Sequence, residues 1–349
     1  MLVWDFLRSA YDHALGRPKT AFPTRYHYIE ILQDALKARG LTIRRFGQHC
    51  LTLSRDGGQG RLIIAVRYTN DRDLTLLNRA ARQTGTRIAY LLDDDLWAML
   101  EDQKLKPDYR ARLQHFLDRH YARLRPLLQE VIAPSPQILA RMAELPGTYL
   151  PPAHLFPGGN LSHFDAPEDA PEQIRIVFLG TSTHGADFGR IAPGIAAALK
   201  ADPRLHLTTL QGKRGGELLP EGPQVTHHGD MFFAPFQKWL ARQRFHIALA
   251  PYQVNPVNNG RSNLKFHQHA LVGAAGLYTA TEPFEACVKD GQNGLILPHA
   301  PEAWQQAILT LAADMQRTRG MAGQGISDSL SIGSHEQLAG LWDGLVPRG

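Results

Sequence analysis

Apolar residues recur along the chain at two spacings, and their alternation predicts the elements. Tyr28, Ile31, Leu32, Ala35 and Leu36 fall at i, i+3, i+4, i+7 and i+8, one face of a helix that Gly40 ends. Short continuous apolar runs follow, Leu62-Ile-Ile-Ala-Val66 and Arg87-Ile-Ala-Tyr-Leu-Leu92, with a helical stretch over 74–82 between them and Gly85 as its stop. Strand, helix, strand at that spacing predicts βαβ and a parallel sheet. Residues 109–128 read as a longer charged helix, Val131-Ile-Ala133 as a buried strand, and Ser135-Pro136 as a cap followed by proline at a helix start. A second alternation begins at Ile174-Arg-Ile-Val-Phe-Leu179. It continues with a turn over 180–185, a helix from Asp187 toward Lys200 bent at Pro193, a strand over 205–210 and a helix containing Trp239. His246-Ile-Ala-Leu-Ala250, 276–280 and 295–297 complete the strands, with helices over 262–272 and 302–315.

Between the two alternations, prolines and glycines from Pro146 to Pro171 interrupt any regular element, the texture of an interdomain connection. The expected organisation is an N-terminal Rossmann-like domain over 1–150, a linker over 151–172 and a C-terminal Rossmann-like domain over 173–344. Leu345-Val-Pro-Arg-Gly349 resembles the remnant of a protease-cleavable tag and is left out of the fold expectation. Two doubly wound α/β domains joined by one linker leave a cleft, with ligands expected where the strands' carboxyl ends point, in the loops after Leu92, Leu179, Leu210 and Ala250.

Composition narrows the class. The chain has 349 residues, 43% of them hydrophobic, enough for a core in each domain and against wholesale disorder. Its two cysteines, Cys50 and Cys287, cannot build a disulfide framework or a Cys-rich zinc site, which fits a reducing cytoplasm. The formal charge of +5 is spread along the chain without a basic block, so nucleic acid is not an expected partner. No run is long enough to span a membrane, and the start, with Asp5 inside it, does not read as a signal peptide. Leu2, Val3, Phe6, Leu7 and Ala10 have helical spacing, expected to pack on the body rather than to anchor in lipid.

Candidate chemistry sits in the expected loops. Gly180-Thr-Ser-Thr-His-Gly-Ala-Asp187 follows a strand and precedes a helix, where a glycine lets a ligand approach and the helix start offers N–H groups to an anion. A plain turn with Asp187 as helix cap is the alternative. Lys213-Arg214 follow the next strand and suit a diphosphate or, equally, a solvated turn. Asn258, Arg261, Ser262 and Lys265 crowd the start of a helix, where cations oppose the helix dipole unless an anion binds there. Asp93-Asp94-Asp95 at a strand end could cap the helix from Leu96, grip hydroxyls of a second substrate or bind a divalent metal. The histidine pairs His227-His228 and His267/His269 lack the i, i+4 spacing of a helical metal site, and His227-His228 read as part of a turn.

Arg261-Ser-Asn-Leu-Lys-Phe-His-Gln-His-Ala-Leu-Val-Gly273, Thr281-Glu-Pro-Phe284 and Asp290-Gly-Gln-Asn-Gly-Leu-Ile296 together resemble the carboxy-terminal signature of nucleotide-sugar glycosyltransferases of the GT-B fold, above all the large retaining group numbered family four. The 180–187 loop, Ile88-Ala-Tyr-Leu-Leu-Asp-Asp-Asp-Leu-Trp97 and Ile132-Ala-Pro-Ser-Pro136 are similar to motifs of its bacterial polysaccharide branch. The resemblance spans roughly residues 60–310. It implies a GT-B enzyme that moves a sugar, with retention, from a nucleotide-activated donor to a hydroxyl of a glycan or lipid-linked glycan. The setting it implies is bacterial surface polysaccharide synthesis, in the cytoplasm or at the inner face of the membrane. Gly180, Thr183, Asp187, Lys213, Arg214, Asn258, Arg261, Ser262, Lys265 and Gln268 would meet the donor, and His184 with Asp94 and Asp95 the reacting groups and acceptor. No metal or other cofactor is expected. Two departures from the family stand out: Gln268 and Gly260 occupy the positions of its two glutamates. The Gln268 departure motivates one alternative, a silent nucleotide-binding subunit. A metal-dependent Asp-x-Asp transferase through Asp93 and Asp95 is the other.

Overall fold

The computed structural model describes residues 22–58, 60–165, 173–181 and 184–348. The helix expected over the first ten residues and the site residue Thr183 lie outside them. The chain divides into two compact units. The first comprises residues up to 153 with 259–262 and 333–349, the second 154–258 with 263–332.

The first unit holds a six-stranded sheet in chain order: β1 (Leu41–Arg45), β2 (Cys50–Arg55), β3 (Arg61–Val66), β4 (Thr86–Leu91), β5 (Glu130–Ala133) and β6 (Gly147–Tyr149). From β3 onward neighbours are parallel, as the βαβ spacing predicts, while β1–β2 and β2–β3 are antiparallel. Residue spacing predicts neither β1 nor β2, and β6 falls inside the stretch expected to be irregular. Strand β6 is three residues long and partly exposed, so it carries no hydrophobic period; pairing with β5 alone makes it a strand. The inner strands β3 and β4 are buried on both sides, and this is why they read as continuous apolar runs. Between them the helix Asp71–Ala80 opens on a capping box: Asp73 N donates to Asn70 Oδ1 at 2.9 Å and Asn70 N to Asp73 Oδ2 at 3.3 Å.

The last helix, His335–Leu345, belongs to this first unit and not to the second, where the sequence analysis continues the domain to 344. Its Leu338, Ala339 and Trp342 join the core formed by Leu32, Leu36, Leu53 and Leu62, and Trp342 Nε1 donates to Tyr28 O at 2.9 Å. The tail set aside as a tag remnant takes part in the same core. Val346 is 2% exposed within it, and Gly60 packs so closely on Pro347 that a Cβ there would lie 2.3 Å from its carbonyl oxygen. Burial of that methyl-rich side chain makes the segment part of the fold.

The second unit is an all-parallel sheet in the order β12-β11-β10-β7-β8-β9. The strands are β7 (Ile174–Thr181), β8 (Leu205–Leu210), β9 (Val225–His227), β10 (Ile247–Ala250), β11 (Ala275–Thr279) and β12 (Gly294–Leu297). Counted within the unit this is 3-2-1-4-5-6 read from the β9 edge, the doubly wound order with its switch point between β7 and β10. His227, expected in a turn, ends β9; its ring lies 2.6 Å from Thr209 Oγ1 and its Nε2–H donates to Leu219 O at 2.7 Å. The helix Gly185–Ala201 contains Pro193 and packs on Pro301–Ala313 so closely that a Cβ on Gly194 would lie 1.9 Å from Pro301 O.

At the amino end of β10, His246 Nδ1 accepts from Arg175 N at 2.9 Å while its Nε2–H reaches His163 O at 3.4 Å, and the ring nitrogen Nε2 of His163 donates to Phe245 O at 2.8 Å. Burial pushes both imidazoles down to about 4. The folded unit therefore keeps them neutral, whereas the unfolded chain protonates them near the ordinary value of about 6.5. Stability is complete above that value and is lost as pH falls toward 4, by about 3 kcal/mol in sum once the solvent access of His163 is discounted. The urea midpoint is expected to drop across this window, with a flatter slope in the double variant His163→Gln, His246→Asn. The same slope in that variant would assign the loss to other groups.

Candidate functional site

Polar side chains gather at the carboxyl ends of both sheets. In the second unit they close on the end of β7. Gly180 has no room for a side chain, since a Cβ would lie 2.3 Å from the Phe178 ring and 2.9 Å from His184 Cβ. The pairing of β7 with β8 slips at this point. Lys265, in the first turn of the helix Leu264–Leu271, donates from Nζ to Leu179 O at 2.8 Å and to Gln268 Oε1 at 2.9 Å. From the β8 side, Gln211 Nε2 donates to Gly180 O at 2.7 Å and to Thr181 O.

Asp187 lies in the first turn of Gly185–Ala201 and does not cap it. Its Oδ1 accepts from Gln253 N at 3.0 Å and from Asn258 Nδ2 at 3.3 Å, and its Oδ2 lies 3.0 Å from His184 Nδ1. The His184 ring stacks on Tyr252, centroids 5.6 Å apart and planes within 7°. Asn258 also donates to Gln253 O at 2.9 Å. Asp187 and Asn258 thus brace the loop after β10 against the loop after β7. His184 is oriented by a carboxylate, the arrangement that fixes an imidazole tautomer.

Lys213 and Arg214 open the short helix Lys213–Leu218 and are exposed. The guanidinium of Arg214 lies against Gly185, where a Cβ would be 2.7 Å from Nε. The loop group named in the sequence analysis is divided: Asn258 and Lys265 belong to the second unit, Arg261 and Ser262 to the first.

In the first unit the acidic run follows β4. Arg67, directly after β3, is the one non-glycine described residue with positive φ, at 53°. Tyr90 Oη donates to its carbonyl at 2.6 Å. Its guanidinium pairs with Asp94 at 2.5 Å and Asp93 at 3.4 Å and lies 5.2 Å from the centroid of the Tyr68 ring. Thr24 Oγ1 donates to Asp93 Oδ2 at 2.7 Å, and the hydroxyls of Tyr68 and Tyr109 meet at 3.0 Å. Burial pushes the Asp93 carboxyl up, against the pull of Arg67.

Asp95 takes the capping role among the three left open by the sequence. It is 1% exposed; Oδ1 accepts from Ala98 N at 3.0 Å, and Oδ2 from Gln137 Nε2 at 2.8 Å and Arg141 Nε at 3.0 Å. Its assignment to the acceptor is corrected on that ground, because both oxygens are spent inside the fold. Both carboxylates of the Asp-x-Asp pair have partners within the fold: Asp93 meets Thr24 and Arg67, Asp95 its cap, amide and guanidinium. Among the described residues no group of three or more His, Cys, Asp or Glu could hold a metal ion. Asp95→Ala is expected to cost about 2–3 kcal/mol through the lost cap and the stranded Arg141, and Asp95→Asn, which keeps a capping oxygen, about half of that. Urea unfolding of both variants checks the order.

Arg67, Gln211 and Tyr252 are not among the candidate residues read from the sequence. Gln211 follows Leu210 and Tyr252 follows Ala250, two strand ends already named as ligand-facing, and Arg67 follows the recognised strand 62–66, so the carboxyl-end rule applied residue by residue would have found all three.

No protein-family model matches the chain, and no curated protein matches it in sequence. Among solved structures it is similar to sucrose-phosphate synthase of Thermosynechococcus elongatus, with a TM-score of 0.54 and 14% identity over 81% of this chain and 72% of that one. It is similar to TarM of S. aureus, with a TM-score of 0.56 and 10% identity over 81% of this chain and 54% of that one. A third is HepE of Anabaena in complex with UDP, with a TM-score of 0.51 and 14% identity over 81% of this chain and 79% of that one. The chain spans about half the length of the TarM chain. The architecture is GT-B, with two α/β units built on six-stranded, mainly parallel sheets.

Proposed function

We propose that the protein is a glycosyltransferase that moves a sugar from a nucleotide-activated donor to a hydroxyl of a glycan or lipid-linked glycan, with retention, in bacterial surface polysaccharide synthesis. The observation that carries the proposal is the carboxyl edge of the second unit's sheet. There the switch point between β7 and β10 presents Lys265, Gln268, Gly180 and the His184–Asp187 pair on one edge. The UDP held by HepE, a protein of similar fold, supports a nucleotide as the ligand class.

Bond breaking in such a donor builds negative charge on the departing diphosphate. Lys265, at the start of Leu264–Leu271, is the cation for that charge, with the helix's first N–H groups beside it and Arg214 next to Gly185. The charge is met by side chains, with no resident metal. Gly180 lets the ligand come close to the backbone, and Asp187 and Asn258 act by holding the two loops. His184 meets the transferred sugar. In the first unit, Asp94 receives an acceptor hydroxyl while Arg67 fixes its orientation. No helix among the described residues is long and apolar enough to cross a membrane. In this proposal a lipid-linked acceptor is met at the inner face of the membrane.

The test is a thermal-shift screen across UDP, GDP, ADP, CDP and dTDP, followed by an assay of hydrolysis or transfer with the sugar conjugate of the nucleotide that binds. A raised melting temperature with at least one nucleotide and release of its sugar are expected. Binding without hydrolysis or transfer would favour the silent subunit, and no binding at all would remove the proposal.

A further inference from the structure

Three successive carbonyl groups at the end of β7 are taken by side-chain N–H donors from two directions: Leu179 O by Lys265, Gly180 O and Thr181 O by Gln211. The partners fix both glutamine amides. A lysine ammonium only donates, so the carbonyl of Gln268 must face it; backbone carbonyls only accept, so the NH₂ of Gln211 must face them. What remains is a matched set of opposite polarity. Among the described residues Gln211 Oε1 is an acceptor without a partner, on a residue 2% exposed. The NH₂ of Gln268, a residue 4% exposed, has no hydrogen-bond partner among the described residues. A buried amide oxygen left unpaired is costly, and native folds rarely keep one without a reason.

We infer that Gln211 is a specificity-determining residue of this edge, its Oε1 accepting a hydrogen bond from an O–H or N–H on the neutral part of the ligand, with the NH₂ of Gln268 offering the complementary donor. The inference rests on the donor-site proposal and deepens it. Ionised phosphate oxygens have no proton to give, so the diphosphate cannot satisfy Gln211; it belongs with Lys265. The group against Gln211 is a sugar hydroxyl or a nucleobase N–H, and a nucleotide sugar carries both. Gln211 sits at the end of β8, beside the switch-point strand β7. Its NH₂ clamps the β7 carbonyls, so the same side chain that shapes the loop also reads the ligand.

The experiment is calorimetry of the wild type and Gln211→Met with three tiers of probe. These are inorganic pyrophosphate, then UDP, GDP, ADP, CDP and dTDP, then their glucose conjugates. Expected is at least tenfold weaker binding by the variant for probes that carry the recognised group, with pyrophosphate within twofold of wild type. A loss that first appears with the nucleoside diphosphates puts the group on the nucleoside, and one that appears only with the glucose conjugates puts it on the sugar. Equal losses for all probes, pyrophosphate included, would mean that Gln211 only holds the loop; no loss would mean that Oε1 stays unpaired in the complex. Either result overturns the inference while leaving the donor site in place. A wild type that binds none of the probes removes the donor site and the inference with it. Gln211→Glu guards against a misfolded methionine variant: its protonated carboxyl keeps both the O–H donor and the C=O acceptor. Its affinity for the tier that reports the group, relative to wild type, is expected to recover by tenfold or more from pH 8 to pH 5.5, while that for pyrophosphate stays level. A flat ratio for the reporting tier, or an equal recovery with pyrophosphate, would also overturn the inference.

Discussion

Lys265→Ala is expected to lower affinity for the nucleoside diphosphate at least tenfold, about 1.4 kcal/mol, and to slow sugar transfer by about 10²–10³-fold, or roughly 3–4 kcal/mol. The difference between the two figures is the point of the prediction. A charged contact to a ground-state diphosphate accounts for the first. The second is larger because charge on the departing phosphate grows toward the transition state, and a pre-positioned ammonium meets it without reorganisation. The position of Nζ is set by Leu179 O and Gln268 Oε1, at 2.8 and 2.9 Å. Arginine is therefore no conservative replacement here, because a planar guanidinium cannot reproduce both contacts from the same point. Lys265→Arg should recover part of the binding and little of the rate. Calorimetry and single-turnover kinetics separate the two effects, and unchanged affinity in Lys265→Ala would remove this lysine from the donor site.

Arg67→Ala carries the largest expected cost in stability, about 3–5 kcal/mol, because it strands two buried carboxylates. The side chains of Arg67, Asp93 and Asp94 are less than one-fifth exposed, so solvent replaces little of the lost pairing. The loss depends on pH. In the wild type, burial already raises the Asp93 carboxyl while Arg67 lowers it; without the guanidinium only the Thr24 and backbone hydrogen bonds oppose the rise. A carboxyl whose folded pKa lies above its unfolded value binds the extra proton in the folded state. Its neutral form stabilises the variant at low pH, and that contribution is lost as pH rises through the raised value. The deficit of Arg67→Ala should therefore be greater at pH 8 than at pH 5. Arg67→Gly should lose about 1 kcal/mol less, since glycine adopts the φ of 53° without the steric cost an L side chain meets there. Urea unfolding of the three proteins at both pH values checks the ranking. Equal stability of the alanine and glycine variants would mean that the backbone relaxes once the guanidinium is gone.

The parts of the fold that were legible in the sequence are those whose signal is local. Continuous apolar runs predict β3, β4 and β7 because such strands are buried on both sides, and Gly40 lies just past the helix it ends. Strands β1, β6 and β9 were not legible: they are edge or outer strands of mixed burial, defined by the neighbour they pair with. The proposed donor edge was half legible. Lys265, Gly180, His184 and Gln268 stand out through motif and loop position, whereas the brace from Asp187 to Asn258 spans 71 residues of chain and has no local mark. Asp95 shows the reverse case, since an aspartate just before a helix already permits a cap, and only its partners Gln137 and Arg141 decide for it.

The sequence alone determined the alternation of strands and helices, the two-part organisation and the loops where ligand chemistry would collect, because these follow from residue spacing and backbone propensity within a few turns. Tertiary structure alone decided which polar atoms are spent and which remain. Whether Asp95 caps, whether His335–Leu345 joins the first unit, and whether Gln211 Oε1 is left over all depend on partners dozens to hundreds of residues away. Hydrogen-bond inventory is a property of groups brought together in space, and no pattern along the chain records it.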